Sequence, residues 1–147
     1  MRKLGVGVLG VGEMGRRHAE NLRSMVPGAR LIAVADVSAE RAQQTATELE
    51  IDKSFSSLEA MLECKDVDAV VIATPDKFHA AGIKLTAAAG KDILCEKPLA
   101  LNLADAHDIL AVVARAGVRL QVGFMRHYDP AYDSATVSYT HLTLPTN

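Results

Sequence analysis

Short apolar runs alternate along this chain with stretches of helical period. Leu4 to Leu9 is a glycine-containing apolar run ended by Gly10, and it predicts a buried strand. Met14 to Met25 has helical spacing and stops at Pro27-Gly28. Leu31 to Ala35 is a second apolar run, closed by Asp36. Ser38 can cap a helix over Ala39 to Leu49. A short third strand is expected near Ser54-Phe55, and Ser57 can cap a helix with Leu58, Met61 and Leu62 on one face. Ala69 to Ala73 is a fully apolar fourth strand, broken by Thr74-Pro75. A helix is predicted from about Lys77 to Ala89, with Gly90 at its C-terminal end. Ile93 to Cys95, a helix from Asn102 to Ala116 with Gly117 after it, and Leu120 to Val122 complete the pattern.

Strands apolar on both faces, alternating with helices, mean a parallel sheet covered on both sides. Six such repeats predict an α/β fold, a doubly wound parallel sheet of the dinucleotide-binding (Rossmann) type. No short-period repeat and no low-complexity linker interrupts it, so one domain is expected.

Composition narrows the functions this fold can serve. The 147 residues carry 49% hydrophobic and 23% charged side chains, and the net charge is -2, a globular balance with no basic stripe for nucleic acid. Aromatics are 4% with no Trp, which also argues against a base-stacking platform. No apolar run approaches the roughly 18 residues needed to span a bilayer, and Met1-Arg2-Lys3-Leu4 leads into a strand rather than a signal peptide. Cys64 and Cys95 are far apart and form no C-x-x-C pair, which suits free thiols in a reducing cytosol. His18, His79, His107, His127 and His141 are scattered without metal-ligand spacing, so no metal is expected.

Gly10-Val11-Gly12-Glu13-Met14-Gly15 fits G-x-G-x-x-G between a strand and a helix. In that context the first glycine permits the turn, the second lets backbone approach a pyrophosphate, and the third lets the helix pack on the strand. The helix N-terminus adds free N–H groups and a positive dipole end. Asp36 follows 21 residues after Gly15, the spacing at which a carboxylate accepts bonds from the adenosine ribose hydroxyls and repels a 2′-phosphate. No Arg follows Asp36 immediately; Arg41 lies inside the next helix. NAD is therefore the expected cofactor, in preference to NADP. An Asp that merely caps the strand end is the alternative.

Ligands in open α/β sheets sit beyond the carboxyl ends of the strands. Thr74-Pro75-Asp76-Lys77-Phe78-His79 lies there after strand four, Glu96-Lys97-Pro98 after strand five, and Gly123-Phe124-Met125-Arg126 after strand six. With the glycine turn and Asp36 in register, these segments resemble the glucose–fructose oxidoreductase, inositol dehydrogenase and rhizopine catabolism (Gfo/Idh/MocA) family. The resemblance runs from about Lys3 to Tyr132. Leu120 to Asp129 is similar to the inositol 2-dehydrogenase branch, with His127 where that branch usually has a second Arg.

The resemblance implies an NAD-dependent sugar or polyol dehydrogenase, cytoplasmic and homo-oligomeric, and a role for each matching position. Lys97 would hydrogen-bond the reacting hydroxyl and shuttle its proton. Glu96 would hold the nicotinamide ribose region and orient Lys97. Thr74, Pro75 and His79 would sit against the cofactor, and Met125 and Arg126 would line the substrate pocket. Pro98 excludes the α region for Lys97 and so restricts how that residue is presented. A partly closed crevice would strip water from the Lys97 ammonium, and its charge would stabilise a forming alkoxide. His79 also fits a structural role at the start of its helix; His18 and His107 read as structural or solvated. Cys95, in a buried strand, reads as a small core residue.

The family carries a second, larger α/β domain that supplies an Asp and a His from a D-x-x-x-H motif. This chain ends before any such segment, so it is expected to be inactive by itself. Residues 1–135 read as the dinucleotide-binding domain and 136–147 as a foreign tail. Val137 to Thr146 carries no acidic or basic charge and matches, residue for residue, a translated transposase adapter, GTC TCT TAT ACA CAT CTG ACG CTG CCG ACG A. The preceding adapter bases, CT, fit the end of the Thr136 codon, and the trailing A fits the start of that for Asn147. A non-catalytic NAD-binding module or sensor is the competing function. A methyltransferase would share the glycine turn and the acid but not the later loops.

Overall fold

The computed structural model describes residues 2–124. The elements run β1 (Leu4–Leu9), α1 (Glu13–Ser24), β2 (Ala29–Ala35), α2 (Ala39–Glu48), β3 (Lys53–Phe55), α3 (Leu58–Leu62), β4 (Ala69–Ile72), α4 (His79–Ala88), β5 (Asp92–Glu96), α5 (Leu103–Ala116) and β6 (Leu120–Gly123). The strands form one sheet in the order β3-β2-β1-β4-β5-β6, every neighbouring pair parallel. The chain steps outward from β1 to β3, then returns to the other side of β1 with β4. That reversal opens a crevice at the carboxyl ends of β1 and β4. This is the doubly wound sheet that the alternating pattern predicts.

Each face of the sheet has its own core. Val6, Val8, Leu31, Val34 and Val71 pack with Ala19 of α1 and Ala42 and Ala46 of α2. Val70, Ile72, Ile93 and Cys95 pack with Met61 of α3, Ile83 of α4 and Ile109 of α5 on the other face. Adjacent residues of β4 divide between the two cores, as the period of two along a strand requires. Strand β2 breaks this alternation once. Leu31 pairs with Val6 and Ala33 with Gly7, so Ile32 is the extra residue of a bulge. The bulge puts Ile32 and Ala33 into the same core, an irregularity that the apolar run alone does not reveal.

Ser38 and Ser57 begin their helices as caps, as expected, and Asn102, expected as the first helical residue, is the N-cap of α5. Ser38 Oγ accepts from the Arg41 N–H (3.3 Å), Ser57 Oγ from Ala60 (3.2 Å) and Asn102 Oδ1 from Asp105 (2.8 Å). Such a cap contributes about 1 kcal/mol. Gly90 and Gly117 close α4 and α5 with φ of 68° and 67°. Most boundaries shift by a residue or two, and the start of α4 does so for a clear reason. The segment Asp76–Phe78 is a 3-10 turn, and α4 begins only at His79. Pro75 is extended at ψ 144°, and its carbonyl accepts from the Phe78 N–H at 2.9 Å, which winds the first turn too tightly for an α-helix. Among the described residues no helix is long and apolar enough to cross a membrane.

Candidate functional site

The glycine turn joins β1 to α1 at the crevice. Gly10 has φ 83°, and a Cβ there would stand 2.8 Å from the Ala73 carbonyl oxygen. A Cβ on Gly15 would overlap the Gly10 carbonyl oxygen, so the third glycine lets α1 close onto the end of β1. Gly12 is different: a Cβ there would meet nothing within 4 Å. It is the N-cap of α1 and supplies no side-chain cap, while Gly12, Glu13 and Met14 are exposed. The first-turn N–H groups of a twelve-residue helix therefore open onto free space. That is a cradle for a phosphate group.

Asp36 stands beside this turn at the end of β2, 6% exposed. Its Oδ2 accepts from the Val11 N–H at 3.0 Å, and its Oδ1 accepts from the Ser38 N–H at 2.9 Å. The carboxylate does cap the backbone, as the alternative reading required. An ionised carboxylate offers about four lone-pair sites, so these bonds do not exhaust it. The structure adds a partner that sequence distance concealed. Arg41 Nη2 lies 3.2 Å from Asp36 Oδ1. Position 41 is one helical turn past Ser38, and its side chain reaches back over the N-terminus of α2.

Thr74 follows β4 on the other side of the turn. Its Oγ1 is buried, with no hydrogen-bond partner among the described residues. A buried hydroxyl without a partner is costly, which fits a site completed by a bound polar group. His79 is fully buried, and both its ring nitrogens face carbonyl oxygens: Nδ1 is 2.7 Å from Pro98 O and Nε2 is 2.9 Å from Thr74 O. The ring thus ties the loop after β4 to the loop after β5.

Glu96 ends β5 opposite Gly123 of β6, and the Lys97-Pro98 peptide that follows is cis. Lys97 is exposed. The dehydration expected of its ammonium is not supplied by the described residues. Burial, with the neighbouring Glu96 carboxylate adding to it, pushes the Cys95 thiol up to about 12, so Cys95 behaves as the core residue expected. Glu96 also has a partner that sequence reasoning missed. His18 Nε2 lies 2.8 Å from Glu96 Oε1. The available signal was helical: position 18 is three residues after the buried Gly15, on the same face of α1. His107 is exposed on α5. Among the described residues, no group of three or more His, Cys, Asp or Glu could hold a metal ion. Met125, Arg126 and residues 136–147 lie outside the described residues.

A doubly wound sheet with an open helix N-terminus at the strand-order reversal, and a carboxylate ending β2, defines a dinucleotide-binding domain. Residues 4–124 match the model of the Gfo/Idh/MocA family, described as an oxidoreductase family with an NAD-binding Rossmann fold, and the chain belongs to that family. It is 45% identical over 128 residues to the scyllo-inositol 2-dehydrogenase (NAD(+)) of Bacillus subtilis, a match covering 87% of this chain and 37% of the relative. It is 44% identical over 130 residues to an inositol 2-dehydrogenase of Streptomyces avermitilis, covering 88% and 38%. The crystal structure of scyllo-inositol dehydrogenase from Lactobacillus casei, with bound NAD(H) and scyllo-inositol, superposes with a TM-score of 0.87 at 29% identity, covering 95% of this chain and 41% of that one. The chain thus spans well under half the length of these relatives.

Proposed function

We propose that this chain is the cofactor-binding part of an NAD-dependent dehydrogenase acting on a secondary alcohol of an inositol-like polyol or sugar. Bound NAD+ supplies the hydride acceptor. The chain's own residues divide the remaining work. The α1 N-terminus and Gly12 hold the pyrophosphate, and Asp36 accepts from the adenosine ribose. Thr74 and Pro75 line the cofactor on the β4 side. Lys97 holds the reacting hydroxyl and, as the free amine, takes up its proton as the carbon loses hydride, then passes it to water. Glu96 keeps the adjoining ribose and Lys97 in register, while Met125 and Arg126 contact the substrate.

The observation that carries this reading is the location of Glu96-Lys97-Pro98. The segment follows β5 directly, on the carboxyl side of the sheet, across the β1/β4 reversal from Asp36. An exposed lysine there can meet a substrate presented from outside the chain. The relatives named above act on inositols, which supports a polyol as the substrate class. Functioning as a homo-oligomer in the cytoplasm belongs to the same reading.

We further read residues 1–135 as the native dinucleotide-binding domain and 136–147 as adapter-derived sequence. The genomic reading frame beyond codon 135 tests this directly: a frame that continues as V-S-Y-T-H-L-T-L-P-T would refute it.

Initial rates with NAD+ and scyllo-inositol, myo-inositol or glucose test the activity. Protein from the uninterrupted frame should turn over at least one polyol, and Lys97→Ala should lower kcat by roughly 10²–10⁴, the range for a positioned acid/base group. The 147-residue chain alone should give no rate above its own Lys97→Ala control. A full-length protein that binds NAD but oxidises no polyol or sugar would favour a non-catalytic NAD-binding module or sensor instead.

A further inference from the structure

The dinucleotide must straddle the reversal between β1 and β4. Asp36 and the glycine turn take the adenosine and pyrophosphate end, over β2 and β1. The second nucleoside then falls over the ends of β4 and β5, where Glu96 is the carboxylate that ends a strand. Its environment is built for a fixed orientation. The side chain is 14% exposed. On one side lies Gly123, where an added Cβ would stand 3.5 Å from both Cδ and Oε1 of Glu96. On the other lies His18, whose Nε2 is 2.8 Å from Oε1 and whose side chain is itself only 26% exposed.

We infer that His18 is a positioning residue for the second nucleoside of the dinucleotide: by donating Nε2–H to Glu96 Oε1, it aims the Glu96 carboxylate at that nucleoside's ribose. One bond from His18 leaves the carboxylate able to accept a ribose hydroxyl as well. The link has a mechanical side too. His18 stands on α1, one turn beyond the glycine cradle, so the helix that receives the pyrophosphate also fixes the group that receives the far ribose. The two ends of the site are thereby held at a set separation. Without His18 the carboxylate keeps its partly buried place but loses its donor, and it turns toward water.

The inference rests on the proposed placement of the cofactor across the reversal, but it does not require turnover. The test compares two ligands on the 147-residue chain by calorimetric titration: NADH, and ADP, which lacks the second nucleoside, its ribose included. His18→Ala should weaken NADH about tenfold, the scale of one hydrogen bond to a charged group. ADP should stay within about twofold, because it ends at the pyrophosphate and its contacts at Asp36 and Gly12 are untouched. His18→Gln, which can still donate, should recover most of the NADH affinity. In a Glu96→Ala background, His18→Ala should have no further effect on NADH.

An equal loss for both ligands would make His18 a merely structural residue and overturn the inference, as would unchanged NADH affinity in His18→Ala. Wild-type chain that binds NADH no more tightly than ADP would overturn it together with the placement of the cofactor. Failure of the full-length protein to oxidise any polyol would sink the proposed activity while leaving the NADH contrast intact.

Discussion

The Asp36 carboxylate accepts the Val11 N–H at 3.0 Å, so the acid that ends β2 is tied to the glycine turn that ends β1. The bond crosses 25 residues of sequence and fixes, before any ligand arrives, the carboxylate proposed to take the adenosine end. A carboxylate held in this way discriminates between free ribose hydroxyls and a 2′-phosphate. NADH should therefore bind better than NADPH by about 1–3 kcal/mol, the scale of a charge-assisted hydrogen bond. Arg41, 3.2 Å away, is a cation that could soften this choice. Arg41→Ala should widen the preference, chiefly by weakening NADPH. Parallel titrations with both cofactors measure it, and equal affinities in the wild type would refute the role given to Asp36.

His79 closes two loops with one ring. Replacing it by Ala leaves the Thr74 and Pro98 carbonyls without their ring partner and opens a cavity where a fully buried ring stood. Loss of such a buried, hydrogen-bonded side chain costs about 2–5 kcal/mol. Urea unfolding of His79→Ala should show a midpoint lowered accordingly. A variant as stable as wild type would mean that the ring does not hold the loops.

The strand and helix order was legible in the sequence because each element carries its own period and its own stop signal. Ser38, Ser57 and Asn102 cap as their residue types suggest, and Gly10, Gly90 and Gly117 take positive φ. What stayed hidden depends on partners distant in sequence. His18 and Glu96 are 78 residues apart, and nothing local in either segment names the other. The bulge at Ile32 arises from register against β1, which an apolar run read alone cannot encode. The contact between Arg41 and Asp36 was obscured for a different reason: a long side chain spans a full helical turn that counting along the chain treats as separation.

Acid should loosen the amino-terminal edge of the sheet first. Asp68 accepts the Gly5 N–H at 2.8 Å and pairs with Arg2, and these two donors, the Gly5 amide foremost, hold its carboxyl below the ordinary value of 3.8. A depressed folded-state value means stability that is present above the unfolded value and lost as pH falls through the folded one. The stabilisation is therefore complete at pH 7 and drains away below about pH 4. Asp68→Asn should be less stable than wild type at pH 7, and the gap should close as the pH approaches 2. Unfolding midpoints across that range provide the check, and a gap that stays constant with pH would remove Asp68 from the account.

Gly12 and Gly15 separate ligand binding from folding, although both belong to one motif. A Cβ at Gly15 collides with the Gly10 carbonyl, a backbone atom that cannot move without displacing the turn. Gly15→Ala should therefore push α1 away from β1 and cost several kcal/mol, on the order of 3. At Gly12 the φ of -68° suits any residue, and no atom lies within 4 Å of an added Cβ. Exchanging Gly for Ala at an N-cap costs about 1 kcal/mol, so Gly12→Ala should still fold, with a midpoint lowered by only a few degrees, about 3–6 °C. Its methyl group would occupy the space into which the α1 N–H groups open, where the pyrophosphate must approach the backbone closely. NADH affinity should fall at least tenfold in Gly12→Ala, with the fold intact by circular dichroism. If Gly12→Ala bound NADH as the wild type does, the cofactor would not lie over the N-terminus of α1.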